Sequence, residues 1–277
     1  MSGSIVKMAG MASTLTRPTP HAPGKHPAAR GESQLARVRR ARRINRTLEW
    51  AHPDAHCELD FNNAFELLVA TVLSAQTTDV RVNSITPALF AAYPTPEALG
   101  EANIEEVEEI IRPTGFYRAK AKNIVGLGHV LATELGGEVP EDMESLVALP
   151  GVGRKTAHVV RGNAFGYPGL TIDTHVGRLA RRLQLTENED PVAVEKDLAE
   201  LIEKREWTMF SHRMIFQGRR VCHSRKAACG ACVIAADCPS FGLEGPADPV
   251  EAEKLVTGDR AEELVAAARE EDRHYEK

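Results

Sequence analysis

The stretch LPGVGRKTA, Leu149–Ala157, decides how the chain is read. It follows a short segment of helical spacing, Met143–Leu149, which Pro150 stops. Gly151 and Gly153 open backbone angles closed to other residues and let a second backbone come close. A new helix is expected to restart at Arg154. The N–H groups of Gly151, Val152 and Gly153 and the first turn of that helix then point at one place. Such a place suits an anion, a phosphate above all.

Helix, Gly-Val-Gly turn, helix is the spacing of a helix–hairpin–helix, which holds nucleic-acid backbone without reading base sequence. The plainer reading is a turn that only joins two helices. Lys155 sits where the helix macrodipole opposes a cation by about 0.3–1 kcal/mol at an exposed site. As an ammonium it would clamp phosphate; as a neutral amine it would form Schiff bases with aldehydic carbons. The hairpin alone leaves both open.

Eighteen residues after Lys155 comes Asp173, in TIDTHVGRLARRL. It reads as the N-cap of a helix starting at Thr174. A capping aspartate that faced Lys155 could also orient the amine and stabilise positive charge on a sugar. His175 reads as a structural polar residue.

Five cysteines is an odd number, and four of them, Cys222, Cys229, Cys232 and Cys238, have the spacing C-x6-C-x2-C-x5-C. That crowding suits a metal group in a reducing compartment rather than a disulfide framework. A single C-x2-C pair with uneven flanking gaps favours a cubane iron–sulfur cluster over zinc. The enclosed loop holds Arg225 and Lys226, with Arg219 and Arg220 just before it, and a metal-pinned basic loop makes a rigid phosphate contact. Lone Cys57 reads as a plain thiol.

From residue 63 the chain reads as successive helices, at NAFELLVATVLSAQ, 104–112, 119–135 (ending at Gly136-Gly137), 174–184 and 191–206. No stretch alternates strictly, so the fold class is all-α. Residues 33–50 form a basic helix with Leu35, Val38, Ile44 and Leu48 as its apolar positions. Residues 1–32 read as a disordered basic tail, an extension rather than a transit peptide. Residues 241–277 read as an acidic tail with a weak, peripheral helix near 259–273.

The net charge of −5 averages over unequal ends. Residues 241–277 hold eleven acids against five bases, whereas residues 1–46 hold ten Lys and Arg against Glu32 alone. The overall charge therefore does not exclude a basic, nucleic-acid-binding face. No apolar run approaches the roughly 20 residues of a membrane span.

LPGVGRKTA, IDTH and the four-cysteine spacing together resemble the endonuclease III family of DNA base-excision glycosylases, over about residues 33–240. The resemblance implies a helix–hairpin–helix glycosylase fold with a DNA cleft between two domains. One is a six-helix barrel, 57–167. The other, 33–56 with 168–240, carries a [4Fe-4S] cluster on the four cysteines. It implies Lys155 as nucleophile and Asp173 as its acidic partner. In SAQTTD it marks Gln76 as the residue that fills the gap left by a flipped base. In TGFYRAK it marks Phe116 as a wedge into the duplex where many members carry Leu, a difference that bears on lesion preference. Without the resemblance, Gln76 reads as a helix-terminal amide and Phe116 as a core residue.

The implied activity is excision of oxidised pyrimidines from double-stranded DNA, with AP-lyase cleavage 3′ to the abasic site through a lysine Schiff base. A monomer in the bacterial cytoplasm, working on the nucleoid, is expected. One rival is an adenine-specific mismatch glycosylase of the same superfamily. Those relatives lack the hairpin lysine, and they carry a glutamate where this chain has Thr71. The other rival is a non-enzymatic iron–sulfur DNA-binding module, which Lys155 with Asp173 argues against.

Overall fold

The structure, a computed structural model, describes residues 31–272. The expected basic tail, 1–32, lies outside the described residues except for Gly31 and Glu32. Helix α1 (Gln34–Ala51) comes first. It is followed by α2 (Ala64–Leu73), α3 (Asp79–Asn83), α4 (Thr86–Ala92), α5 (Pro96–Gly100), α6 (Ile104–Ile111), α7 (Tyr117–Glu134), α8 (Met143–Ala148) and α9 (Arg154–Ala164). After these come α10 (Thr174–Arg182), α11 (Pro191–Leu201), α12 (Trp207–Arg220), α13 (Pro249–Glu253) and α14 (Ala261–Asp272). No strand occurs among the described residues, so the chain is all-α as its patterning requires.

Local chemistry sets the helix ends. Asn63 caps α2 by accepting from Glu66 N at 2.9 Å, while Glu66 Oε2 accepts from Asn62 N at 2.7 Å. Helix α7 stops at Gly136 and Gly137, both at positive φ, and Gly137 N donates to Leu131 O at 2.8 Å. That six-residue reach is a Schellman closure.

Two hydrophobic cores form. The first collects α2–α9 around Leu67, Leu68, Leu89, Ile111, Ile124 and Leu127. Six of these eight helices have six residues or more. The second joins α1 to the C-terminal half: Ile44 and Leu48 pack with Leu179, Leu198, Phe210 and Met214. The chain therefore leaves the second core after α1, builds the first, and returns.

Three expectations are corrected. Leu35 is 58% exposed, and Arg40 is buried instead, donating to Leu183 O at 2.6 Å and to Glu32. Helices α13 and α14 are not peripheral, because Ala252, Leu264 and Ala267, with Val256 between the two helices, belong to the second core. Helix α12 has no counterpart in the sequence reading, because its buried face includes Ser211, His212, Arg213 and Gln217. Each finds a partner: Arg213 donates to Asn45 and Glu206 at 2.9 Å, and Ser211 to Trp207 O at 3.0 Å. Polar groups paired in this way can be buried without large cost.

Candidate active site

The hairpin closes between α8 and α9. Gly151 has φ +76°, and a Cβ there would also sit 2.8 Å from the Asn123 side chain, so glycine is required twice over. Val152 is buried and anchors the turn in the barrel core. Gly153 differs from expectation. It caps α9 in extended conformation, and a Cβ on it would meet nothing within 4 Å. Its missing side chain leaves the first N–H groups of α9 open to an approaching ligand.

Lys155 is the second residue of α9 and is exposed. Asp173 caps α10, as the sequence reading has it, with Oδ1 accepting from Val176 N at 2.8 Å. Both side chains line one cleft of about 700 Å³, together with Ser74 and Thr77 after α2 and with Arg219 on α12. That volume lies in the range of small-molecule sites. The cleft thus brings together two helix starts and the α12 end. His175 stands beside Asp173, 3.2 Å from Arg178 Nη2, and burial pushes its pKa down. Thr71, by contrast, is buried and turns back onto its own helix, donating to Leu67 O at 2.7 Å. No carboxylate enters from that position.

Gln76 and Phe116 share an uncommon state. Each is a non-glycine residue at positive φ, 54° and 48°. Both are exposed, Phe116 to 70%. The plain reading of Phe116 as a core phenylalanine is therefore corrected, whereas Gln76 does stand just past a helix end. Gln76 lies three residues past the end of α2, and Phe116 lies at the surface ahead of α7.

Arg225 and Lys226 are exposed on the loop after α12. Arg182 holds that loop from behind, donating to His223 O at 2.6 Å and Ser224 O at 3.0 Å. Arg219 and Arg220 are engaged within the protein. Arg219 pairs with Asp79 and Glu58, and Arg220 pairs with Asp54 while lying over the Phe216 ring. Two guanidiniums, that of Arg220 first and that of Arg260 second, hold the Asp54 carboxyl well below the usual range.

The four clustered cysteines line a single cavity. Among the described residues, no three Cys, His, Asp or Glu side chains converge closely enough to hold one metal ion. Cys222, Cys229, Cys232 and Cys238 thus share the lining of one site, without any distance among them fixing a nuclearity. Two donors already face sulfur: Arg182 Nη1 lies 3.3 Å from Cys222 Sγ, and Gln217 Nε2 lies 3.3 Å from Cys232 Sγ. His52 Nε2 fixes the far side of that amide, 2.8 Å from Gln217 Oε1. N–H groups aimed at sulfur in this way fit thiolate ligands. Cys57 stands apart, half-buried against the barrel core, its pKa raised by burial.

The profile of the HhH-GPD superfamily of base-excision DNA repair proteins matches residues 69–204. Endonuclease III of Synechocystis sp. is 50% identical over 206 residues, 74% of this chain and 94% of that protein. The chain belongs to the endonuclease III family. It is a base-excision DNA repair enzyme, a glycosylase and AP lyase. Endonuclease III of Escherichia coli is 42% identical over 183 residues, 66% of this chain and 87% of that one. A solved non-covalent endonuclease III–DNA complex superposes with a TM-score of 0.70 at 44% identity, over 73% of this chain and 94% of that one. A thermostable thymine-DNA glycosylase, 22% identical with a TM-score of 0.68, shares the fold.

Two features of the site escape sequence reasoning. The Arg219 pairs join α12 to residues some 140 and 161 positions away, and no local pattern announces them. Lys120 is buried in the stripe that carries Ala121, Ile124 and Leu127, and a lysine on that face was the available signal.

Proposed function

We propose that Lys155 and Asp173 carry the family's chemistry on double-stranded DNA containing an oxidised pyrimidine or an abasic site. The observation that carries this reading is their meeting at one cleft, each at a helix start. The hairpin N–H groups, Arg225 and Lys226 hold the phosphate backbone. Phe116 enters the stack and Gln76 occupies the space of the extruded base. The neutral Lys155 Nζ attacks sugar C1′ as the bond from C1′ to the base breaks. The base leaves with the bonding pair and takes up a proton.

Asp173 accepts the proton that Nζ releases. The Nζ lone pair then breaks the C1′–O4′ bond, O4′ takes up a proton, and the resulting ring-opened iminium acidifies the 2′ hydrogens. Loss of one of them expels the 3′ phosphate, and hydrolysis then frees the amine. Cys222, Cys229, Cys232 and Cys238 would hold a [4Fe-4S] cluster, whose contribution when bound is to pin the Arg225–Lys226 loop. The two cores are then two domains, and the bacterial relatives support a cytoplasmic place for the enzyme.

Thr71 and Lys155 weigh against the adenine-specific reading. Borohydride should trap the protein covalently on abasic duplex. Trapping that survived Lys155→Ala would remove the lysine from this role. Turnover of mismatched adenine in preference to oxidised pyrimidine would overturn the substrate assignment.

A further inference from the structure

Gln76 and Phe116 stand on separate loops, yet one hydrogen-bonded knot ties those loops together. The Thr77 hydroxyl donates to Thr114 O at 2.5 Å. Lys120 Nζ reaches both members, 2.8 Å from Thr77 Oγ1 and 2.9 Å from Thr114 O. Thr77 directly follows Gln76, and Thr114 lies two residues before Phe116. Lys120 itself sits one turn into α7, its backbone N donating to Phe116 O at 3.1 Å.

The surrounding facts make the knot more than a contact. Lys120 is 5% exposed, and both of these acceptors are neutral. Burial alone lowers its pKa. A buried cation held by a hydroxyl and a carbonyl is an expensive arrangement, and an apolar residue would pack there at less cost. Nearby, two non-glycine residues hold left-handed backbone, and Gly115 before Phe116 is also at positive φ, 66°. Left-handed backbone at a bulky residue persists only where the surroundings over-determine it. Solvent-exposed side chains supply little of that constraint. The knot supplies it at both loops at once.

We infer that Lys120 is a positioning residue that locks the Gln76 and Phe116 loops into one rigid unit, so that gap filling and wedging occur together. This rests on the reading of those two residues as the pair that stabilises an opened stack. A rigid unit presents both side chains without ordering them at the moment of base extrusion, which lowers the barrier to flipping. It acts on opening the duplex rather than on the lysine chemistry.

The test compares two substrates under single-turnover conditions: a duplex with a paired oxidised pyrimidine, and one with a preformed abasic site. Lys120→Met removes the ammonium and keeps an apolar stem; Thr77→Val removes the shared hydroxyl. Either change should slow excision of the paired lesion on the order of 10- to 100-fold, as for a lost charged hydrogen bond. Cleavage of the abasic duplex should fall by less than about threefold. Lys120→Arg should restore part of the loss.

In a Gln76→Ala/Phe116→Ala background the Lys120→Met effect should vanish, because residues acting as a unit are not additive. Equal losses on both substrates, or full additivity in that background, would overturn the brace. If Lys120→Met does not fold, Thr77→Val carries the same comparison. The underlying reading fails separately, if Gln76→Ala and Phe116→Ala leave excision of the paired lesion unchanged.

Discussion

Arg219 Nη2 lies 2.7 Å from Asp79 Oδ2, an ion pair that joins the end of α12 to the start of α3 across the mouth of the cleft. Glu58 shares the same guanidinium. Arg219 thereby neutralises two carboxylates that line the cleft proposed to receive DNA. Arg219→Ala should leave both facing the DNA. Affinity for duplex should fall about tenfold, more than one lost phosphate contact explains, and the loss should shrink at high salt. A salt-independent loss would show that the pair serves only to hold the lobes.

Asp173 caps α10, and asparagine separates that duty from the proposed service to Lys155. Asn caps a helix about as well as Asp. Asp173→Asn should therefore leave the melting temperature within a degree or two, yet slow excision by at least about a hundredfold. Asp173→Ala should also lower stability, by about 1 kcal/mol. Activity retained in Asp173→Asn would reduce the residue to its cap.

The sequence made the helical class, the hairpin and the cysteine chamber legible, because each rests on short-range spacing. The same spacing located the starts of α9 and α10. Helix α12 was invisible for the opposite reason: its buried residues are polar, and partners such as Asn45 and Cys232 lie outside the helix. Gln76 and Phe116 read as ordinary residues because positive φ is imposed on them by tertiary contacts, not by their own side chains. Leu35 misled because one apolar residue in a basic helix does not fix which face is buried.

The cysteine chamber predicts a brown protein with about four iron atoms per chain. Removing the iron should release the Arg225–Lys226 loop and weaken DNA binding while the barrel stays folded, since metal binding is coupled to folding of the segment that holds it. Iron analysis, visible absorbance and circular dichroism read this out. A colourless zinc protein of full activity would sink the assignment.

Two buried histidines should make the fold sensitive to acid. Burial pushes both His52 and His212 down to about 4, and the bond to Gln217 only partly offsets this for His52. In the unfolded chain both rings gain protons near 6.5. Between these values the unfolded state binds more protons, so stability is full above about pH 6.5 and falls as pH drops toward 4. Each ring accounts for roughly 3 kcal/mol at most over that range. Urea midpoints should hold down to about pH 6.5 and then fall toward about pH 4.5. The slope should be shallower in His212→Gln, and an unchanged slope there would exclude His212 as a source.

Helices α13 and α14 offer the sharpest contrast between composition and structure. They are acidic, yet they close the second core: Ala252 is fully buried, and Val256 and Leu264 are nearly so. Their connecting loops also add backbone bonds, Thr257 N to Arg220 O and Gly230 N to Pro246 O, both 2.9 Å. Leu255 O meets His223 Nε2 at 2.7 Å, on the loop between the first two clustered cysteines. Ending the chain after Gly245 should expose that core. Val256 and Leu264 alone represent roughly 3–6 kcal/mol of apolar burial. The truncated chain should unfold its second lobe at lower urea and lose iron to a chelator faster, while the barrel melts as before. Unchanged iron release would show that these helices do not protect the cysteine site.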